Sequence, residues 1–241
     1  MKPGKAIVVG ASSGIGRELV RQMAEAGWKV AAVARRGDRL QELVAEFPDR
    51  VLPAVHDVLE IDQVPELFQD LCHRLGGLDL LVYSSGVMNE VGLQEYALEK
   101  DRPMIDVNVT GAVAWINEAA TRFQGARHGS ILGIGSVAGD RGRRGTPVYA
   151  ATKSFLHTYL EALRNRLHRY GVTVTTIKPG PVDTEMTARL RLRRTMPVEH
   201  AARVILSRLG RQGEFYLSPV HGLAFYVLKR LPGSVFRRLG L

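Results

Sequence analysis

Short apolar runs alternate with amphipathic stretches along most of the chain. Seven runs rich in valine, isoleucine, leucine and alanine predict buried strands. They cover residues 5–9, 28–34, 51–55, 78–83, 130–134, 172–177 and 214–217. Between them, apolar positions recur with a helical period over residues 17–26, 38–47, 61–75, 100–123, 147–170 and 198–209. This alternation predicts an α/β fold with a parallel sheet covered by helices on both faces.

The 241 residues predict a single domain, because neither a linker nor an internal repeat interrupts the alternation. The one cysteine, Cys72, excludes intrachain disulfides and predicts a reducing compartment, hence a cytoplasmic protein. Cys72 lies in an apolar helical pattern and is interpreted as a core residue. The formal net charge of +9 favours anionic partners in general. Its arginines form no tract with interleaved aromatic residues, so nucleic-acid binding is not predicted.

A glycine-rich loop stands between the first predicted strand and the first helix, within a βαβ unit. This is the context of a dinucleotide-binding loop, because glycines let the backbone approach a pyrophosphate and the helix N-terminus offers unpaired N–H groups. A plain tight turn is the alternative interpretation, since the spacing differs from the commoner G-x-G-x-x-G. The candidate cofactor-binding residues of the loop are Gly10, Ser12, Ser13, Gly14, Ile15 and Gly16.

The end of the second predicted strand lacks the carboxylate that normally selects NAD. Ala34 is followed by Arg35 and Arg36, and a guanidinium suits the 2′-phosphate of NADP. We therefore predict NADP as the cofactor and Arg35 as its phosphate anchor, with Arg36 expected in solvent. Asp57 and Val58 follow the third strand and join the candidate cofactor site. The Asp57 carboxylate accepts a hydrogen bond either from an adenine amino group or, as a turn cap, from the backbone.

A tyrosine and a lysine four residues apart, Tyr149 and Lys153, carry the candidate chemistry. In a helix they lie on one face. An ammonium beside a phenol favours the phenolate, which brings the phenol's pKa toward the range useful for proton transfer. Ser136 follows the fifth predicted strand, where its hydroxyl can hold a carbonyl oxygen. The alternative is that Tyr149 only packs in a helix. The presence of the glycine loop in the same chain favours a catalytic role.

These features, together with Asn108, occur in the order and spacing of the short-chain dehydrogenase/reductase family, which residues 5–185 resemble. The resemblance implies a Rossmann-like doubly wound sheet of about seven strands and an enzyme that interconverts a carbonyl and an alcohol with NAD(P). It implies Tyr149 as general acid or base and Lys153 as the residue that lowers its pKa and binds the nicotinamide ribose. Ser136 would bind the substrate oxygen, and Asn108 would support a water that relays protons to Lys153. The segment that binds the nicotinamide amide corresponds to Pro179, Gly180, Val182 and Thr184.

The chain departs from the family pattern after the fourth strand. The family usually has Asn-Asn-Ala-Gly there, and this chain has Tyr83, Ser84, Ser85 and Gly86. Serines also make turn hydrogen bonds, and Gly86 keeps the close-approach position. Ser85 and Gly86 are therefore retained in the candidate cofactor site. The C-terminus departs as well, which weakens a fatty-acid-synthesis assignment.

Arginines crowd the substrate side of the chain. They either attract an acidic substrate or a phosphopantetheine carrier, or they belong to a solvated mobile lid, predicted at residues 183–200. These arginines are Arg141, Arg143 and Arg144 before Tyr149, and Arg189, Arg191, Arg193 and Arg194 within the lid.

A basic, helical C-terminal tail is predicted at residues 219–241. Three interpretations of it stay open: it covers the substrate pocket, forms a subunit interface, or makes peripheral contact with an anionic membrane surface. Its aromatic and aliphatic content predicts a hydrophobic ketone, aldehyde or alcohol as substrate.

The sequence as a whole predicts an NADP-dependent oxidoreductase for a small-molecule carbonyl/alcohol pair, with no metal site assigned. Analogy with the family predicts a homodimer or homotetramer. An epimerase or dehydratase on the same fold is one alternative, since fold does not settle chemistry. A non-catalytic NADP-binding sensor or scaffold is another, and it would need only the glycine loop and Arg35.

Overall fold

The computed structural model describes residues 3–188 and 194–239. Its strands are β1 (Lys5–Val9), β2 (Lys29–Ala34), β3 (Val51–Val55), β4 (Leu80–Tyr83), β5 (Ser130–Ile134), β6 (Thr173–Lys178) and β7 (Gly213–Tyr216). They form one sheet in the order β3-β2-β1-β4-β5-β6-β7, and every neighbouring pair is parallel. The predicted Rossmann-like sheet is confirmed.

Ten helices connect and cover these strands in the described residues. They are α1 (Gly14–Glu25), α2 (Gly37–Glu46), α3 (Val64–Leu75), α4 (Leu98–Ile105), α5 (Gly111–Ala126), α6 (Pro147–Leu167), α7 (Glu185–Ala188), α8 (Val198–Leu206), α9 (Pro219–Arg230) and α10 (Gly233–Arg238). Short 3₁₀ turns occur at Ile61–Gln63, Val137–Asp140 and His168–Tyr170. Among the described residues, no helix is long and apolar enough to cross a bilayer.

The core consists of two apolar layers, one on each face of the sheet. Side chains alternate along a strand, so Ile7 of β1 enters the layer of α3, α5 and α6, whereas Val8 enters the layer of α1, α2 and α8. Because both faces are covered, the strands read as continuous apolar runs. Cys72 is buried in the first layer, as predicted.

The helix predicted at 100–123 is interrupted in the structure. It consists of α4, a π-helical turn at Asp106–Thr110, and α5. Pro103 lies within α4, and the π turn inserts one residue into the helical register. A periodicity of apolar positions does not register such an insertion, so the prediction of one regular helix needs this correction.

Strand order reverses between β1 and β4, which are neighbours in the sheet. In open parallel sheets, ligands bind outside the carboxyl ends of the strands at such a switch point. The loops after β1, β2, β4, β5 and β6 all emerge at this edge. The fold therefore brings the glycine loop, the arginines after β2, the serines after β4 and Ser136 to one place.

Candidate active site

A cavity opens at the switch point, and most of the predicted site residues line it. They are Gly10, Ser12, Ser13, Gly14, Ile15, Arg35, Val58, Ser85, Gly86, Ser136, Tyr149, Lys153, Pro179, Gly180, Val182 and Thr184. The three other candidates, Gly16, Asp57 and Asn108, support its walls. Arg36, His56 and Glu185, which were not among the predicted site residues, line it as well.

Two glycines of the loop are packed so closely that no side chain fits at their positions. A β-carbon on Gly16 would lie 2.1 Å from the carbonyl oxygen of Gly10. Gly10 has a φ of +91°, and a β-carbon there would lie 2.5 Å from the backbone nitrogen of Ser85. The loop after β4 thus rests directly on the glycine loop. The close backbone packing at the N-terminus of α1 is therefore kept with Ser84 and Ser85 in the loop after β4.

Tyr149 and Lys153 lie on the buried side of α6, one turn apart, as their spacing predicted. The Lys153 ammonium lies 5.8 Å from the Tyr149 ring centroid and donates a hydrogen bond to the Ile134 carbonyl over 3.1 Å. Burial lowers the pKa of Lys153 to about 8. Burial also raises the pKa of Tyr149, and the Ser136 hydroxyl acts in the opposite direction. The prediction that Lys153 brings this pKa down is therefore corrected: burial dominates, and only the Ser136 hydroxyl acts against it.

Asn108 lies in the π turn and holds the chain that follows β4. Its Oδ1 accepts a hydrogen bond from the Val87 N–H over 2.8 Å, and its Nδ2 donates to the Val87 carbonyl and the Thr152 hydroxyl. A β-carbon on Gly86 would lie 3.3 Å from both Asn108 Oδ1 and Lys153 Nζ. The amide of Asn108 and the ammonium of Lys153 are therefore close neighbours across Gly86.

Two arginines border the opposite end of the cavity. Arg35 is mostly exposed and lies 3.4 Å from the Asp57 carboxylate. Arg36 donates a hydrogen bond to the Ser12 hydroxyl over 3.1 Å and pairs with Glu185 of α7 over 2.9 Å. Arg36 is exposed, as expected, and its guanidinium also contacts the glycine loop. Asp57 caps a turn by accepting from the Leu59 N–H, which matches one of its two predicted roles.

His56, which follows β3, also lines the cavity, and its backbone N–H donates to the carbonyl of Ala34, the residue before Arg35. Its side chain is buried, with 4% of the residue exposed, and its ring meets the edge of Trp115 at 5.5 Å between centroids. Neither ring nitrogen has a hydrogen-bond partner within the described part of the chain. Buried polar atoms are rarely left unpaired, so His56 offers a donor and an acceptor to a ligand. Its place at the end of β3, one residue before Asp57, was the signal that could have identified it.

A buried polar network lies behind Ser136. The Ser136 N–H donates to Nε2 of His157 over 3.4 Å, and Nδ1 of His157 lies 3.8 Å from the Asp140 carboxylate. Lys178 and Tyr216 both bond that carboxylate over 2.7 Å. Lys178 also pairs with Glu214, so its buried charge is balanced. This network fixes the backbone that presents the Ser136 hydroxyl.

His157 should make stability fall in acid. Burial, with Lys178 beside it, lowers its pKa to about 3 from the ordinary 6.5. Between pH 6.5 and pH 3 the unfolded chain binds a proton that the folded chain excludes, so folding weakens as pH falls. Relative to His157→Gln, the wild type should lose about 2–4 kcal/mol of unfolding free energy across this window. Urea unfolding at a series of pH values measures this difference. Exposed His128, changed to Gln, is the control, and equal pH slopes for wild type and His157→Gln would contradict the expectation.

Two of the arginines on the substrate side hold the C-terminal tail. Arg141 donates from one guanidinium nitrogen to the carbonyls of Leu228, Lys229 and Leu231 over 2.9, 3.1 and 2.6 Å, which satisfies the end of α9. The Arg143 guanidinium lies 5.2 Å from the Phe225 ring centroid, and burial lowers its pKa. The tail is thereby fixed beside the loop that carries Ser136.

Two backbone hydrogen bonds join the ends of the segment predicted as a lid. The Asp183 N–H donates to the Met196 carbonyl, and the Met196 N–H donates to the Pro181 carbonyl. Arg194 is exposed. Of the other lid arginines, Arg189, Arg191 and Arg193 lie outside the described residues.

The fold and the site define a class of dinucleotide-binding α/β proteins, and comparison with known proteins identifies the family within it. The family model of short chain dehydrogenases matches residues 4–195. The chain belongs to this family and is an oxidoreductase of it. An uncharacterized oxidoreductase of Myxococcus xanthus is 40% identical over 186 residues, which cover 76% of this chain and 74% of the relative. One of Staphylococcus aureus is 34% identical over 184 residues, covering 76% of this chain and 80% of the relative.

Solved structures confirm the fold. A short chain dehydrogenase of Burkholderia cenocepacia in complex with NADP has a TM-score of 0.86 at 24% identity, with 99% of this chain and 98% of that chain covered. A short-chain dehydrogenase of Streptomyces avermitilis has a TM-score of 0.85 at 24% identity, with 93% and 92% covered.

Proposed function

We propose that this chain is an NADP-dependent oxidoreductase that interconverts a carbonyl and an alcohol on a hydrophobic substrate. One observation carries the proposal: Tyr149, Lys153 and Ser136 converge on the wall of the cavity that the glycine loop opens. A sensor or scaffold would need the glycine loop and an arginine, but not an acid–base group at the other end of the cavity. The convergence therefore favours catalysis over binding alone.

The residues of the cavity fit a nicotinamide dinucleotide. The glycine loop has no room for β-carbons at Gly10 and Gly16, so its backbone can approach a ligand closely. This suits a pyrophosphate at the N-terminus of α1. His56 supplies two unpaired ring nitrogen atoms to the cavity, which Val58 also lines. When bound, the nicotinamide supplies or accepts the hydride. The NADP complex of the B. cenocepacia protein supports the choice of dinucleotide.

Two arginines support the choice of NADP over NAD. Arg35 and Arg36 both border the end of the cavity where the second strand stops. A guanidinium makes paired hydrogen bonds to a phosphate and repels no part of it. Arg36, already bonded to Ser12 of the glycine loop, joins Arg35 as a candidate anchor for the 2′-phosphate. Pro179, Gly180, Val182 and Thr184, at the opposite end, would hold the nicotinamide amide.

Proton transfer is assigned to Tyr149. Because burial raises its pKa, the phenol carries its proton at neutral pH, which is the form that donates to a carbonyl oxygen during reduction. Ser136 would hold the same oxygen, and Lys153 would bind the nicotinamide ribose and favour the phenolate once the proton has left. Asn108, close to Lys153 across Gly86, would support the water that returns a proton. Oxidation of an alcohol would need the phenolate and so a higher pH.

The surroundings of Tyr149 support a hydrophobic substrate. Its ring packs with Met104 and Ala138, and half-buried Val87, Met88, Val91 and Val148 complete this apolar cluster. A polar substrate would lose hydration there without regaining hydrogen bonds, which costs free energy. Ketones, aldehydes or alcohols with aliphatic or aromatic substituents would bury apolar surface instead.

The stoichiometry of turnover tests the proposal. The purified protein is incubated with NADPH and a panel of hydrophobic ketones and aldehydes, and NADPH loss and alcohol formation are measured together. We expect one alcohol for each NADPH consumed. Substrate conversion without net NADPH consumption would instead show an epimerase or dehydratase, and NADPH binding without conversion of any substrate would favour a sensor.

A further inference from the structure

The outer surface of the C-terminal tail combines exposed apolar side chains with positive charge. Along α9, Val220, Leu223 and Val227 follow the spacing of one helical face, and 74% of Val220 and 70% of Leu223 are exposed. Val235 of α10 and Leu239, which directly follows that helix, are exposed as well. We call these five residues the tail face. The cations Lys229, Arg230, Arg237 and Arg238 belong to the same segment of the chain and are exposed.

The inner side of α9 is already in use, so the tail face is turned away from the protein. Phe225 lies under Arg143, and Gly180 packs against His221 so closely that a β-carbon on it would lie 2.4 Å from that ring. Arg141 holds the last carbonyls of the helix. The helix is therefore held in one orientation, and its exposed apolar side chains are already arranged on one side. Binding through these side chains would not require the ordering of a disordered segment, which keeps its entropic cost low.

Charge decides what the tail face fits. The chain has four cations and no acidic residue between positions 217 and 239. A twofold contact between two copies would set these cations against the same cations of the other copy, which like-charge repulsion opposes. An amphipathic helix with apolar residues on one face and lysine or arginine at its edge is typical of helices that lie in a membrane interface.

We propose that the tail face rests on a lipid bilayer surface that carries anionic headgroups. The exposed apolar side chains would enter the boundary between headgroups and acyl chains, and the four cations would lie among the headgroups. Because α9 packs on Gly180 and on the loop that carries Arg141 and Arg143, both at the cavity's edge of the sheet, this orientation brings the site close to the bilayer. The match to the family model ends at residue 195, so the tail lies outside the matched region.

Vesicle flotation tests the proposal with the full-length protein. The probes are phosphatidylcholine vesicles with and without phosphatidylglycerol. We expect at least about tenfold stronger binding to the anionic vesicles, weakened by salt as surface electrostatics require. Two double variants, Leu223→Asn/Val227→Asn and Arg237→Gln/Arg238→Gln, should each reduce that binding about tenfold or more.

A matched control removes the same charge elsewhere. Arg102→Gln/Arg166→Gln changes two exposed arginines outside the tail and should bind anionic vesicles like the wild type. Unchanged circular dichroism and NADPH binding would show that the variants fold. They would also separate this test from the test of the enzymatic proposal. Absence of vesicle binding overturns the proposal, as does equal loss in control and tail variants. Concentration-dependent dimers that Leu223→Asn/Val227→Asn disrupts, without vesicle binding, would assign the face to a second copy instead.

Discussion

Tyr149→Phe is expected to lower turnover by at least about a hundredfold while NADPH affinity stays unchanged. General acid–base catalysis by a positioned side chain contributes roughly 10²–10⁴-fold, and the substitution removes the only atom that can transfer the proton from this residue. The phenylalanine ring keeps the packing of Tyr149 against Met104 and Ala138, so the cavity should keep its shape. Steady-state turnover and calorimetric titration with NADPH measure the two effects separately.

The control for this variant lies on the same helix. Tyr159 of α6 is partly exposed, and its hydroxyl donates a hydrogen bond to Asn117. Its substitution by phenylalanine removes the same atom at a residue that does not line the cavity. Turnover by Tyr159→Phe should match that of the wild type. A Tyr149→Phe protein that retains wild-type turnover would remove Tyr149 from the reaction. Loss of NADPH binding in this variant would mean that the hydroxyl serves the cofactor rather than the proton transfer.

The second large effect is expected at the glycine loop. Gly16→Ala places a β-carbon 2.1 Å from the Gly10 carbonyl oxygen, a separation that no non-bonded carbon and oxygen maintain. The β-carbon is attached directly to the backbone of α1, and the oxygen belongs to the backbone of the loop. Neither atom can rotate away, so the loop must move away from α1. We expect NADPH affinity to fall at least about tenfold and the free energy of unfolding to fall by about 1–3 kcal/mol.

Gly125 provides the matched comparison. It also lies in a helix, α5, and a β-carbon there would meet no atom of the described chain within 4 Å. Because alanine favours the helical backbone over glycine, Gly125→Ala should stabilise the protein by about 0.5–1 kcal/mol and leave NADPH binding unchanged. Calorimetric titration and urea unfolding of both variants check this. Equal behaviour of the two variants would show that the tight loop is not needed for the cofactor.

Local patterns predicted most of the cavity wall because the chemistry of this fold follows strand ends. The glycine loop, Arg35, Ser85 and Ser136 all come directly after strands, and parallel strands bring such positions to one edge. The four-residue spacing of Tyr149 and Lys153 placed them on one helical face. For these residues, position along the chain was sufficient to predict position in space.

Other features depend on contacts between residues far apart in sequence, which periodicity does not encode. Arg36 meets Glu185 across 149 positions, and Lys178 meets Asp140 across 38. The π turn that carries Asn108 was missed because one inserted residue hardly changes an apolar pattern. The helical tail was predicted, but not where it packs, because Arg141 holds it from 87–90 positions away.

Cofactor preference is the most direct test of the account, because every proposed step at Tyr149 depends on NADP in the cavity. The measurement is calorimetric titration of the wild type, Arg35→Asp and Arg36→Asp with NADPH and with NADH. Charge-assisted hydrogen bonds to the 2′-phosphate predict that the wild type binds NADPH at least about tenfold more tightly than NADH. At least one variant should reverse or abolish this preference and so identify the anchor. A wild type that prefers NADH, or binds neither, would contradict the account.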